Sequence, residues 1–151
     1  MEGSPDEDSF MNDRSQASTA VVLDTNVFVG AGFNPRSASA KIVDAVRKGQ
    51  LRMIWNDATR REIERIMRQI PPLRAQGVSD LFRSEDRYDA PIHRERFAFI
   101  PDPDDRKFAA LAQAAGATLV SNDDHLLNYR DRTDVPVLTP GGFWRRRHQS
   151  I

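Results

Sequence analysis

A polar, aperiodic stretch over residues 1–18 comes before the first apolar run, Ala20-Val21-Val22-Leu23. Uninterrupted apolar positions in so short a stretch predict a strand buried on both faces. Asp24-Thr25-Asn26 ends it, and Gly30, Gly32, Asn34 and Pro35 predict a loop. Ser37 or Ser39 can then cap a helix with Ile42, Val43 and Val46 on one face, stopping at Gly49. Leu51–Trp55 reads as a second strand. Ile63, Ile66, Met67 and Ile70 recur at i, i+3, i+4 and i+7, predicting a helix from about Asp57 to Ile70 that Pro71-Pro72 closes. Residues 73–96 are charged and nearly patternless, with a short helix expected over Val78–Tyr88. Phe97–Ile100 is the candidate third strand. Asp102-Pro103-Asp104-Asp105 makes a turn and cap for a helix with Phe108, Leu111, Ala112 and Ala115 inward and Gly116 at its end. Ala117–Ser121 is the fourth strand, Asp123–Asn128 a short helix and Val135–Thr139 the last strand.

Short apolar strands alternating with helices predict an α/β fold with a parallel sheet covered on both sides. The chain's 151 residues suit one domain. The expected division is a disordered extension over 1–18, a folded body over 19–146 and a flexible tail over 147–151. No apolar run approaches the roughly 20 residues of a membrane span, and the acidic start MEGSPDEDSF has no secretory character. A cytoplasmic location is therefore expected.

Charge and composition narrow the chemistry. Cysteine is absent and there are three histidines, so a metal would be held mainly by oxygen, which favours Mg²⁺ or Mn²⁺. The formal net charge is zero, yet residues 1–18 hold five acids against Arg14, leaving 21 bases and 17 acids, a net +4, from Thr19 onward. Nearly all the basic residues are arginine. Biased codon usage is the larger cause, although a nucleic-acid partner would use the same guanidinium groups for phosphate contacts.

In an open parallel sheet, ligands bind beyond the carboxyl ends of the strands. Asp24 follows the first strand, Asp123 the fourth, and Asp102, Asp104 and Asp105 sit between the third and the next helix. Glu62 lies at the edge of the apolar stripe that starts at Ile63. Each acid alone has an ordinary explanation, as a helix cap or a solvated charge. Their convergence on one edge is what argues for a site. Two carboxylates ~5 Å apart repel by roughly 3 kcal/mol at an effective dielectric near 20. A divalent cation relieves that repulsion and can drive phosphodiester hydrolysis without histidine or cysteine. Arg106 and Lys107 flank the expected cleft as candidate phosphate contacts. His125 is read as a polar residue of its short helix, and Trp55 and Trp144 as core or dimer-surface residues.

Four blocks, in order, resemble one known family. Val21-Val22-Leu23-Asp24-Thr25-Asn26-Val27-Phe28 resembles the opening strand and DTN motif of PIN-domain nucleases. Asp57-Ala58-Thr59-Arg60-Arg61-Glu62-Ile63 looks like the helix bearing their second acid. Asp102-Pro103-Asp104-Asp105-Arg106-Lys107-Phe108 is similar to the segment of the third, and Gly116 to Asp123 to the strand and S/T-x-D of the fourth. The likeness covers about residues 20–144 and implies a three-layer α/β/α Rossmann-like domain with a central parallel sheet. It also implies a metal-dependent endoribonuclease with Asp24, Glu62, Asp105 and Asp123 as acids, of which Asp24, Asp105 and Asp123 bind Mg²⁺ or Mn²⁺. Asn26 and Ser121 would orient acids or water, and Asp104 would support Asp105. The nearest subgroup resembles bacterial toxin components of toxin–antitoxin pairs, related to VapC, which implies an RNA substrate, a small antitoxin and a homodimer. Glu64, about 200° around the helix from Glu62, competes with it as the second acid. Other readings are a non-catalytic RNA-binding or scaffold domain, a DNA flap nuclease, or a phosphatase. The last expects D-x-D on the first strand, where this chain has Asp24-Thr25-Asn26.

Overall fold

The computed structural model describes residues 19–149; the extension expected over 1–18 lies outside them. Four parallel strands form the sheet: β1 (Ala20–Leu23), β2 (Arg52–Met53), β3 (Thr118–Val120) and β4 (Val137–Leu138), in the order β2-β1-β3-β4. Val21 pairs with Met53 on one side of β1, while Val22 and Leu23 pair with Leu119 and Val120 on the other. Six α-helices complete a three-layer α/β/α arrangement: α1 (Thr25–Phe33), α2 (Ala38–Arg47), α3 (Asp57–Gln69), α4 (Pro103–Ala115), α5 (Asp124–Asn128) and α6 (Pro140–Gln149). Val21, Val22 and Leu23 are all buried, as a strand covered on both faces must be.

Local chemistry sets the helix boundaries. Ser37 caps α2 by accepting from the Ala40 N–H. Asn56 and Thr59 satisfy each other's backbone N–H in a reciprocal box at the start of α3. Asp102 caps α4 ahead of Pro103, and Gly116, with φ of 67°, closes it in the left-handed conformation. α4 packs against β1 and β3, and α3 against α4. Phe108, Leu111 and Ala112 of α4 are fully buried, so the helix carrying the third acid is rooted in the core.

Three expectations change. The glycines at 30 and 32 do not break the chain, because α1 runs through them to Phe33. A Cβ on Gly32 would lie 2.5 Å from Cδ2 of buried Leu73, so the glycine permits close packing rather than a turn. Phe97–Ile100 is not a strand. Arg94–Phe97 is a 3₁₀ turn, and the Ile100 N–H returns to the Phe97 carbonyl. The Ala98 and Ile100 carbonyls, which a strand would offer to a neighbour, accept from Arg106 instead. Val78–Tyr88 is not one helix but two 3₁₀ turns, Ser79–Leu81 and Ser84–Asp86, seating Leu81 and Phe82 in the core. Arg83 fastens this segment by donating to the last-turn carbonyls of Val46 and Arg47 in α2. At the carboxyl end, α6 runs to Gln149.

Candidate metal centre

The strand order reverses between β1 and β3, which puts their carboxyl ends side by side at the switch point of the sheet. Asp24 leaves β1 with its N–H still on the Val120 carbonyl at 3.0 Å. Its carboxylate caps α1, accepting from the Thr25 N–H at 2.7 Å on one oxygen and from the Ser121 hydroxyl at 2.6 Å on the other. Ser121 is fully buried, and its Oγ also accepts from the Asp123 N–H at 2.9 Å. One hydroxyl therefore ties the acid after β1 to the acid after β3. Asp123 caps α5 through the His125 N–H at 2.8 Å. Asn26 braces the same turn, its Oδ1 accepting from the Asn122 N–H at 3.3 Å.

Asp105 arrives from the first turn of α4, next to Asp123. It is buried, and its Oδ2 has no hydrogen-bond partner. Asp105, Asp123 and His125 each offer one ligand atom within 4.8 Å of the others. His125 Nδ1 stands 3.9 Å from Asp105 Oδ2 and 3.8 Å from Asp123 Oδ1. The short helix thus points its histidine at the acids, a placement that sequence periodicity over five residues does not reveal.

Glu62 reaches the same edge from α3. Its carboxylate accepts from the Thr25 hydroxyl at 2.7 Å and from the Lys107 ammonium. Glu64 instead pairs with Arg60 at 3.2 Å, so the structure brings Glu62 to the cluster and leaves Glu64 on the helix surface. Lys107 is buried beside Glu62, and Arg106 spends its guanidinium on backbone carbonyls. Both cations expected at phosphates are therefore engaged within the fold. Asp104 is exposed and lies 3.8 Å from Lys107, so its support goes to that lysine rather than to Asp105. Thr25 and Lys107 as partners of Glu62 could not be read from sequence, since 37 and 45 residues separate the pairs.

The electrostatics carry the chemical meaning. Burial pushes the Asp24 carboxyl up to about 6, against the lowering effect of the Ser121 and Thr25 hydrogen bonds, with Asp123 and Glu62 adding repulsion. Burial, then the charge of Asp123 and a hydrogen bond shared with it, pushes Asp105 up to about 8, with Asp24 and Asp102 contributing. A buried oxygen without a donor, facing a second carboxylate and an imidazole, is an oxygen-rich donor set suited to a hard divalent cation.

A family model described as PIN domain matches residues 20–125, most of the folded chain. The chain belongs to the PIN-domain family. No curated protein and no solved structure matches it significantly. PIN domains are in general metal-dependent nucleases, and the acid edge of this PIN domain is one that can hold a cation. Among the described residues, no helix is long and apolar enough to cross a membrane.

Proposed function

We propose that this PIN domain is a cytoplasmic Mg²⁺- or Mn²⁺-dependent endoribonuclease, the toxin of a toxin–antitoxin pair, working as a homodimer restrained by a small antitoxin. The observation that carries the nuclease reading is the orphaned, buried Asp105 oxygen beside Asp123. Such a group is costly to a fold unless a cation or a reaction uses it. Asp105 and Asp123 would hold the ion, with His125 alongside and with Asp24 within electrostatic range, although both Asp24 oxygens already accept hydrogen bonds. Once bound, a divalent ion would polarise the phosphoryl group and lower the pKa of a water.

The chain's own residues do the remainder. Ser121 fixes the spacing of Asp24 and Asp123 from beneath, and Asn26 holds the 122–123 turn. Asp24, once ionised, adds negative charge beside Asp105 and Asp123. Glu62 is oriented by Thr25 and by Lys107. RNA as substrate, and the toxin setting, rest on the likeness of the four acidic blocks described above.

The test is cleavage of a labelled structured RNA by the wild-type protein and by Asp24→Asn, each with Mg²⁺, Mn²⁺ or EDTA. Metal-dependent cutting by the wild type alone is expected. Absence of cutting on structured RNA, tRNA and ribosomal RNA, with metal still bound, would overturn the assignment. Cutting of DNA alone would move it to the flap-nuclease reading.

A further inference from the structure

The outer face of α3 bears arginines that the fold does not use. Arg61, Arg65 and Arg68 recur at i, i+4 and i+7, and all are exposed. With Arg94, from the 3₁₀ turn Arg94–Phe97, they line a groove of about 460 Å³. Glu62, Asp104 and Lys107 also line it, so the groove meets the acid edge at Glu62. The acids in the lining are already committed. Glu62 and Asp104 lie with Lys107, and Glu64 pairs with Arg60. Among the described residues, the side chains of Arg65, Arg68 and Arg94 have no hydrogen bond or ion pair, and Arg61 acts on the Asp57 carboxylate through its field only.

Like charges at i, i+4 on a helix cost stability instead of adding to it. Ordinary surface helices interleave acids with such a row, and here the remaining acid, Glu64, faces Arg60. In a chain of zero formal net charge, this is an uncompensated stripe leading to a candidate hydrolytic site.

We propose that this groove is the track for the sugar–phosphate backbone of a single-stranded RNA entering the acid edge, with Arg61, Arg65, Arg68 and Arg94 as its phosphate contacts. The inference rests on the nuclease reading for its direction, and it deepens that reading by naming where the substrate lies. Arg61 to Arg68 spans ~10 Å of helix axis at 1.5 Å per residue, room for roughly two phosphates beyond the scissile one. Guanidinium suits the role because its planar donor fork matches phosphate oxygens. The arginines grip the backbone, so they set position and affinity and leave base choice to other residues.

The experiment measures binding of a fluorescent single-stranded RNA 12-mer in EDTA, where nothing is cut, across a salt series. The proteins are wild type, Arg65→Gln/Arg68→Gln, Arg61→Gln/Arg94→Gln, and an Arg145→Gln/Arg146→Gln control on the far helix. Each groove pair is expected to weaken binding roughly tenfold and to reduce the slope of log affinity against log salt by about 0.7 for each phosphate no longer neutralised. The control pair is expected to bind as wild type, and matched circular dichroism establishes that all variants fold. Unchanged affinity in both groove pairs, or equal weakening in the control, overturns the proposal, as does a wild type that does not bind the RNA. An acidic peptide displaced by the groove substitutions while RNA binding persists also overturns it, in favour of a protein partner. Cleavage is assayed separately with Mn²⁺. A groove that binds RNA in a protein that never cuts upholds the track and removes the nuclease reading, and cutting that ignores the groove does the reverse. A single-stranded DNA of the same sequence distinguishes general phosphate binding from binding selective for RNA.

Discussion

Replacing a candidate catalytic acid should make the metal-free protein more stable. Asp105 is ordinary as a carboxyl in the unfolded chain, near 3.8, and is pushed up to about 8 in the fold by burial and by Asp123. Because the folded value is raised, its stabilising proton is fully present below about pH 4 and is lost as pH rises through 8. Each unit is worth about 1.4 kcal/mol, so at pH 7.5 the ceiling on the cost is about 5 kcal/mol. Solvent at the open side of the cluster screens part of this cost and leaves about 2–3 kcal/mol. Asp105→Asn keeps the shape, removes the charge and supplies an N–H towards Asp123, as the protonated acid does. Thermal unfolding in EDTA at pH 7.5 should therefore give the variant a Tm roughly 10 °C above wild type, and the gap should close towards pH 4. Mn²⁺ should raise the wild-type Tm and leave the variant nearly unchanged. A variant equal to or less stable than wild type at pH 7.5 would refute the reasoning, and with it the claim that the acid edge is held under electrostatic strain.

Three further outcomes are expected. Ser121→Ala leaves a buried Asp24 oxygen without its donor and the Asp123 N–H without its acceptor, and should cost about 2–3 kcal/mol in urea unfolding with loss of cleavage. Lys107→Met strands Glu62, and should cost about 3 kcal/mol that adding Glu62→Gln largely restores; a double-mutant cycle with no coupling would disprove the pair. Gly32→Ala should lower Tm although alanine favours helix by about 1 kcal/mol, because its methyl meets buried Leu73 and overpacking costs about 1–3 kcal/mol.

What the sequence reveals here divides along a physical line. Strands such as Val21–Leu23 and helices such as α3 announce themselves through periodicity, because burial acts on every residue of the element. The acids follow from where those strands end. Phe97–Ile100 misleads because two aromatics and an isoleucine satisfy a strand's composition, while the deciding bonds come from Arg106, six and eight residues away. α1 is hidden because Gly30 and Gly32 carry the signature of a turn, and only the approach of Leu73 explains why glycine is wanted inside a helix. His125 and Lys107 take their meaning from neighbours on other elements: the imidazole from the Asp105 carboxylate, the ammonium from Glu62. Nothing local to either residue encodes that.

The Ser121 bridge has a consequence for how such a protein can change. Since a hydroxyl wedged between neighbouring strands sets the distance between Asp24 and Asp123, their spacing belongs to the sheet and not to any loop. The 71–97 segment is fastened elsewhere, with Arg83 riveting it to the end of α2 and Arg94 at its far end lining the groove. If the groove is the substrate track proposed above, substitutions there would alter the grip on a phosphate backbone without changing the Asp24–Asp123 spacing. On that reading, grip and acid spacing would be mechanically insulated from one another, so the segment is the place to change how tightly a substrate is held while the acids stay put.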